Sequence, residues 1–186
     1  MITIGPETPV KISQIAVEFE CALKLYRERT PQKVLEIGTE DGGTLYHWLK
    51  NAEPGARVIS IDVEDHDVPY DEWVPDGVEC ELIIGDSHAP ETVRRAAELG
   101  PFDWLFIDGS HIYEDALEDW LTYRDLCAGF GSLVLFHDIS LKRAYPETGQ
   151  VAGVRKLWRE IQAQGFVTKE IRTPGVDEYG IGIVHL

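Results

Sequence analysis

From residue 33 onward, strand-like and helix-like runs alternate, and this alternation limits the fold more than any other feature. Short apolar runs at Val34–Ile37, Val58–Ile61, Cys80–Ile84, Trp104–Ile107 and Leu133–Phe136 read as strands. Helical stretches at Gly43–Asn51, Pro90–Leu99 and Tyr113–Cys127 separate them, and "VAGVRKLWREIQAQG" adds a further one with Val151, Val154, Leu157, Trp158 and Ile161 on one face. Two more strands, Phe166–Ile171 and Ile181–His185, are joined through Pro174 and Gly175. Such alternation predicts an α/β fold: a doubly wound, mostly parallel, seven-stranded sheet with helices on both faces and an antiparallel last strand. The apolar positions of "VKISQIAVEFECALKLYRERT" recur at helical spacing, so residues 1–30 are expected to supply a helix packed on the sheet. At 186 residues this is one domain's worth of chain, 1–186.

Composition excludes some partners. Seventeen Lys and Arg face 33 Asp and Glu, a formal charge of -16, which opposes nucleic acid and anionic membrane surfaces. No apolar run approaches the ~20 residues of a membrane span. "MITIGPETPVKIS" lacks a basic region followed by an apolar core, so the expected address is cytoplasmic. Cys21, Cys80 and Cys127 form no CxxC pair and are expected to be small buried hydrophobes.

Ligands of open α/β sheets bind beyond the carboxyl ends of the strands. The first strand-to-helix turn, in "VLEIGTEDGGTLYHW", has Gly38 and Gly43 of the dinucleotide fingerprint GxGxxG, but Glu40 replaces the middle glycine. Glu36, Glu40 and Asp41 surround this turn with no Lys or Arg among them, an arrangement that repels a pyrophosphate. A ligand with an ammonium and a sulfonium suits it, with its one carboxylate at the helix N-terminus. S-adenosylmethionine (SAM) has that layout. Asp62 ends the second strand where a ribose diol would lie, and Asp86, followed by Ser87, ends the third near the adenine edge. Each acid alone could be an ordinary turn residue.

The stretches "VLEIGTEDGGTLYHW", "VISIDV", "IIGDS", "FDWLFIDGSHIYEDALEDW" and "GSLVLFHDI" resemble a class I SAM-dependent methyltransferase. The branch is the one containing cephalosporin-hydroxylase-like proteins and macrolide sugar O-methyltransferases. The resemblance implies cofactor contacts from Glu36, Gly38, Thr39, Gly42, Asp62, Asp86, Ser87 and Asp108. It implies a divalent metal, such as Mg²⁺, at Asp108 and at the pair His137-Asp138, where those relatives have two acids. Imidazole is a poorer ligand for Mg²⁺ than for Mn²⁺, Fe or Zn, so His137 leaves a retuned metal, no metal or another role open. His111 matches the expected general base, the alternative being a helix cap before Tyr113.

The expected activity is O-methylation of a small hydroxylated acceptor, a sugar or natural product. The alternative is a SAM-binding domain without transferase activity, and an NAD-dependent oxidoreductase is opposed by Glu40 and Asp41. The acceptor side looks poorly enclosed, which leaves room for a homo-oligomer to supply a wall. Tyr70 and Trp73, in the acidic stretch 64–79, are expected to form an acceptor lid, and "SLKRAYPETGQ" (140–150) to shape the same pocket. The other Trp residues, Trp48, Trp104, Trp120 and Trp158, are expected in the core.

Overall fold

The computed structural model describes residues 10–141, 153–176 and 178–186. Val151 and most of the stretch 140–150 lie outside the described residues. Seven strands form one sheet: β1 (Lys33–Ile37), β2 (Arg57–Asp62), β3 (Glu79–Ile84), β4 (Trp104–Ile107), β5 (Leu133–Phe136), β6 (Val167–Ile171) and β7 (Ile181–His185). Their order is β3-β2-β1-β4-β5-β7-β6. β1 to β5 run parallel, while β7 is antiparallel to both β5 and β6. The expected doubly wound sheet with its inverted last strand is therefore present.

The central strands are apolar on both faces because helices cover both faces. On one side α1 (Ala16–Arg29) and α2 (Gly43–Lys50) enclose Phe19, Tyr26, Trp48, Trp104 and Phe106. On the other, α3 (Pro90–Leu99), α4 (Tyr113–Tyr123) and α5 (Val154–Ala163) enclose Leu105, Trp120, Phe136, Leu157 and Trp158. The four Trp residues expected in the core are all within it. No helix among the described residues is long and apolar enough to cross a membrane.

Three expectations change. α1 begins at Ala16, because Ile12 to Ile15 run as an irregular segment before it. Cys21 is exposed and Cys80 and Cys127 are half-buried, so none is a fully buried hydrophobe. Trp73 is no lid: it is 6% exposed, its ring edge-on to Tyr46 at 5.4 Å and packed beneath Gly42. A short helical turn at Tyr70–Glu72 folds the acidic stretch back, so its apolar side chains join the α1–α2 core.

The register sets the site. Ile37 pairs with Ile61 and Ile107, and Ile107 with Phe136, so four neighbouring strands end level. The residues that follow, Gly38, Asp62, Asp108 and His137, therefore emerge along one edge. Connections diverge between β1 and β4, the switch point where an open sheet gapes.

Candidate active site

A cleft of about 880 Å³ opens along this edge. Its floor is the turn after β1. Gly38 sits at φ +96°, and a Cβ there would lie 2.2 Å from the Asp108 carbonyl oxygen, so only glycine lets β1 and β4 end this close together. Thr39, Gly43 and Thr44 line the cleft where α2 begins, presenting a helix N-terminus to it. Gly42, at φ +77°, lies behind the turn against Val68 and Trp73 and not on the cleft wall.

Glu36 does not reach the cleft either. It is fully buried behind the turn, where Oε1 accepts hydrogen bonds from Thr44 Oγ1 (2.5 Å) and Trp48 Nε1 (3.0 Å) and Oε2 accepts one from Ser60 Oγ (2.7 Å). Burial pushes its carboxyl up to about 7 against the pull of those donors. Its contribution is to hold Thr44 and the β1–α2 junction in place. Asp41 is exposed and off the cleft, leaving Glu40 as the turn's own acid on the wall.

Asp62 braces the same turn from β2. Its Oδ2 accepts the N–H groups of Thr39 (2.8 Å) and Glu40 (2.9 Å), and Oδ1 accepts that of Glu64 (3.0 Å). At the β3 end, Asp86 is exposed and caps His88 through its backbone N–H. Ser87 Oγ donates to Asp119 Oδ1 at 2.7 Å, and His88 Nε2 lies 3.2 Å from the same oxygen. Asp119, on α4, is buried, and burial raises its carboxyl to about 6. Sequence reading missed it, although its place between Ala116 and Tyr123, on the buried stripe of α4, marks it as an inward-facing acid.

The β4 and β5 ends bring four side chains together. Asp108 Oδ1 is 3.0 Å from His137 Nδ1 and 3.8 Å from His111 Nε2, while Asp138 Oδ2 is 2.9 Å from His111 Nε2. Asp108 Oδ2 accepts from Gln14 Nε2 at 2.6 Å. Burial alone would raise Asp108, but the charge of His137, its hydrogen bond and the nearby His111 hold it well below the usual carboxylate range. Burial likewise opposes protonation of His111, yet Asp108 and Asp138 outweigh it and push the imidazole up to about 10. His137 is raised in the same way, chiefly by Asp108. The turn before α4 is closed by Ser110, whose Oγ accepts the Ile112 N–H (3.3 Å) and donates to Asp115 (2.6 Å).

The donor atoms of Asp108, His111 and His137 lie within 4.8 Å of one another. This group contains His111, where the expected metal set has Asp138 in addition to Asp108 and His137; Asp138 stands against both imidazoles, Oδ2 2.9 Å from His111 Nε2 and Oδ1 3.4 Å from His137 Nδ1. Asp138 Oδ1 and His137 Nε2 are buried with no hydrogen-bond partner, and Asp138 is held at φ +61°. Mixed imidazole and carboxylate donors with unsatisfied buried atoms fit a divalent cation.

Every expected site residue except Glu36 and Gly42 lines the one cleft. Seven carboxylates stand on its wall (Glu40, Asp62, Asp86, Asp108, Asp115, Asp138 and Glu178), with Lys11 the one Lys or Arg among the described lining residues. That field opposes a phosphate and favours a cationic ligand.

No curated protein matches the chain. Among solved structures, it superposes on the O-methyltransferase from Bacillus cereus in complex with S-adenosylhomocysteine (SAH), with a TM-score of 0.69 and 19% identity over 96% of this chain and 84% of that one. The O-methyltransferase TomG from Streptomyces achromogenes, involved in tomaymycin synthesis and bound to SAM, gives 0.68 and 20% over 95% and 82%. The MycE methyltransferase of mycinamycin biosynthesis, in complex with Mg and SAH, gives 0.60 and 22%, with 91% of this chain covering 48% of that one. At these identities the likeness is one of fold. The family model described as a methyltransferase domain matches residues 35–139, from within β1 to just past β5, which contains the glycine turn, most of β1, all of β2 to β5 and the Asp108–Asp138 cluster. On its own sequence and on its sheet, then, the chain belongs to the methyltransferase-domain family and has the class I SAM-dependent methyltransferase fold.

Proposed function

We propose that the protein transfers the methyl group of SAM to an oxygen of a small hydroxylated acceptor such as a sugar or natural product. The observation that carries this reading is that the glycine turn and the Asp108–His111–His137–Asp138 cluster face one cleft, on either side of the β1–β4 divergence. The donor half runs from Gly38 and Thr39 past Asp62 to Asp86 and Ser87, and the acceptor half lies over the β4 and β5 ends. Two structural neighbours support oxygen as the target by their names, and the MycE complex with Mg supports a cation at the cluster.

The acceptor hydroxyl sits beside Asp108 Oδ1 and His111 Nε2, which lie 3.8 Å apart, within reach of both. With both carboxylates beside it His111 is protonated; once their charge is offset, its Nε2 takes the hydroxyl proton and Asp138, 2.9 Å away, stabilises the imidazolium formed. The oxygen attacks the sulfonium methyl carbon, and the C–S electron pair leaves with sulfur to give SAH. Asp108, His137 and Asp138 would hold a divalent cation, which when bound would offset the two carboxylates, leave His111 neutral and lower the pKa of the hydroxyl. The protein's own contribution is placement of the two reactants, since the sulfonium is already activated. The -16 charge and the cleft of about 880 Å³ support a small molecule as partner.

The test is His111→Ala, with SAH affinity measured by calorimetry and methyl transfer measured over an acceptor panel with and without divalent ions. Turnover is expected to fall at least about a hundredfold while SAH affinity holds. Wild-type turnover in the variant removes the base assignment. SAH binding by the wild type with no transfer to any acceptor favours a SAM-binding domain without transferase activity.

A further inference from the structure

Asp119 is a buried acid with no part in the transfer step, and it stands between two turns that the sheet keeps apart. β3 and β4 are separated by β2 and β1, yet the turns that follow them, at residues 85–88 and 109–110, line the same cleft. From α4, Asp119 meets both. Its Oδ1 accepts from Ser87 Oγ at 2.7 Å, and a Cβ on Gly109 would come 3.8 Å from its Oδ2. Tyr123, one turn further along α4, donates from its hydroxyl to the Ser87 carbonyl oxygen at 2.7 Å. One helix thus holds Ser87 by its side chain and by its backbone.

Asp119 is 1% exposed and off the cleft wall, whereas Ser87, His88 and Gly109 are on it. Whatever it does for a ligand passes through those three. On the turn side, His88 Nε2 lies 3.2 Å from Asp119 Oδ1, and His88 Nδ1 lies 3.7 Å from Asp86 Oδ1. Asp115 and Tyr123 are the titratable groups that act on Asp119 or answer to it from α4. Burial raises the Asp119 carboxyl to about 6 against the pull of Ser87 and His88, so it changes charge at mildly acidic pH.

We propose that Asp119 is a positioning residue for the adenosine half of the donor: as a carboxylate it holds the turns after β3 and β4 in place around that half. This rests on the methyl-transfer reading above, which puts adenosine at the Asp86–Ser87 end of the cleft. Only the ionised form serves. Protonation turns one oxygen from an acceptor into a donor and removes the charge that His88 faces, so the wall loses its brace. Binding then requires that the proton leave. Donor affinity is therefore full above the Asp119 pKa and falls as pH drops through it.

The probes are SAH and 5′-methylthioadenosine, which keeps the adenosine and thioether of SAH and lacks its amino-acid part. Dissociation constants are measured by calorimetry between pH 5 and 8 for wild type, Asp119→Asn and Asp119→Ala. Wild type is expected to weaken toward both probes about tenfold between pH 7.5 and 5, the factor for one proton released on binding a unit below its pKa. Asp119→Asn keeps an acceptor for Ser87 Oγ and has no proton to gain, so it should bind like wild type at pH 7.5 and lack this step. Other groups that titrate around the cleft act in both proteins, and the step is read from the difference. Asp119→Ala leaves Ser87 without its acceptor and should weaken both probes by one factor, about tenfold, at pH 7.5. A general loosening of the cleft would instead weaken SAH more, because SAH also uses the glycine turn. Coinciding pH profiles for wild type and Asp119→Asn, or a loss in Asp119→Ala that is larger for SAH, overturns the proposal and leaves the methyl-transfer reading standing. If Asp119→Ala does not fold, the comparison with Asp119→Asn decides alone. Wild type that binds neither probe overturns both.

Discussion

Glu36 is an acid beneath the glycine turn that never reaches the cleft. All its hydrogen-bond donors come from the protein: Thr44, Trp48 and Ser60. With its carboxyl raised from an ordinary 4.5 to about 7 by burial, the folded protein binds this proton more tightly than the unfolded chain does. The stability gained is complete below pH 4.5 and is lost as pH rises through 7, on the order of 3 kcal/mol across that window. Glu36→Gln has no such proton to lose. The amide is also accommodated, since Ser60 Oγ can accept from it while donating to Thr39 Oγ1, 2.6 Å away. The Tm of Glu36→Gln relative to wild type should therefore rise steadily between pH 4.5 and 8 in calorimetric scans, and a constant difference would show that Glu36 is ionised throughout. A local pattern of acids could not reveal this, because the sequence shows a charge beside a glycine and not the three donors that bury it.

The turn between β1 and α2 is the element on which the site depends, and its two constraints can be separated. Gly38→Ala introduces a Cβ at φ +96° and 2.2 Å from the Asp108 carbonyl oxygen, whereas Gly55→Ala meets nearly the same φ, +95°, with nothing nearer than 3.8 Å. Both changes carry the left-handed penalty of roughly 1–2 kcal/mol. Only Gly38→Ala must also push β1 away from β4, so it should lower SAH affinity more than about tenfold where Gly55→Ala leaves it unchanged. Equal SAH affinities in the two variants would show that the β1–β4 junction does not shape the donor pocket. This element was largely legible. Strands buried on both faces write themselves as continuous apolar runs, so β4, β5 and β7 begin and end where the sequence places them. The acids Asp62, Asp86, Asp108 and Asp138 are legible because strand ends share an edge. Trp73, Gln14 and Asp119 were not. Trp73 is buried by a fold of its loop that leaves no periodic trace, and Gln14 meets Asp108 across 94 positions of sequence. Asp119 could be found only by trusting the buried stripe of α4 over its charge.

At the scale of the whole molecule, the -16 charge and the cleft's seven carboxylates act together on ligands that differ by a single charge. SAM carries an ammonium, a sulfonium and a carboxylate, so it is a net cation. SAH has lost the methyl and with it the sulfonium charge, so it is net neutral. In the proposed reaction the two fill the same pocket, and their affinities differ mainly in what the field contributes. That field attracts SAM and releases the product, provided it is not screened. Screening lengths fall from ~30 Å at 0.01 M salt to ~8 Å at 0.15 M, which removes the contribution of distant acids and leaves that of the cleft wall. The dissociation constant of SAM should thus rise several-fold over this range while that of SAH stays nearly flat, as measured by calorimetry at fixed pH. If the two ligands weaken in parallel, salt is acting on the fold or on cleft closure and not on ligand charge. If neither changes, the acids of the cleft set its shape and leave donor selectivity to contacts at the glycine turn.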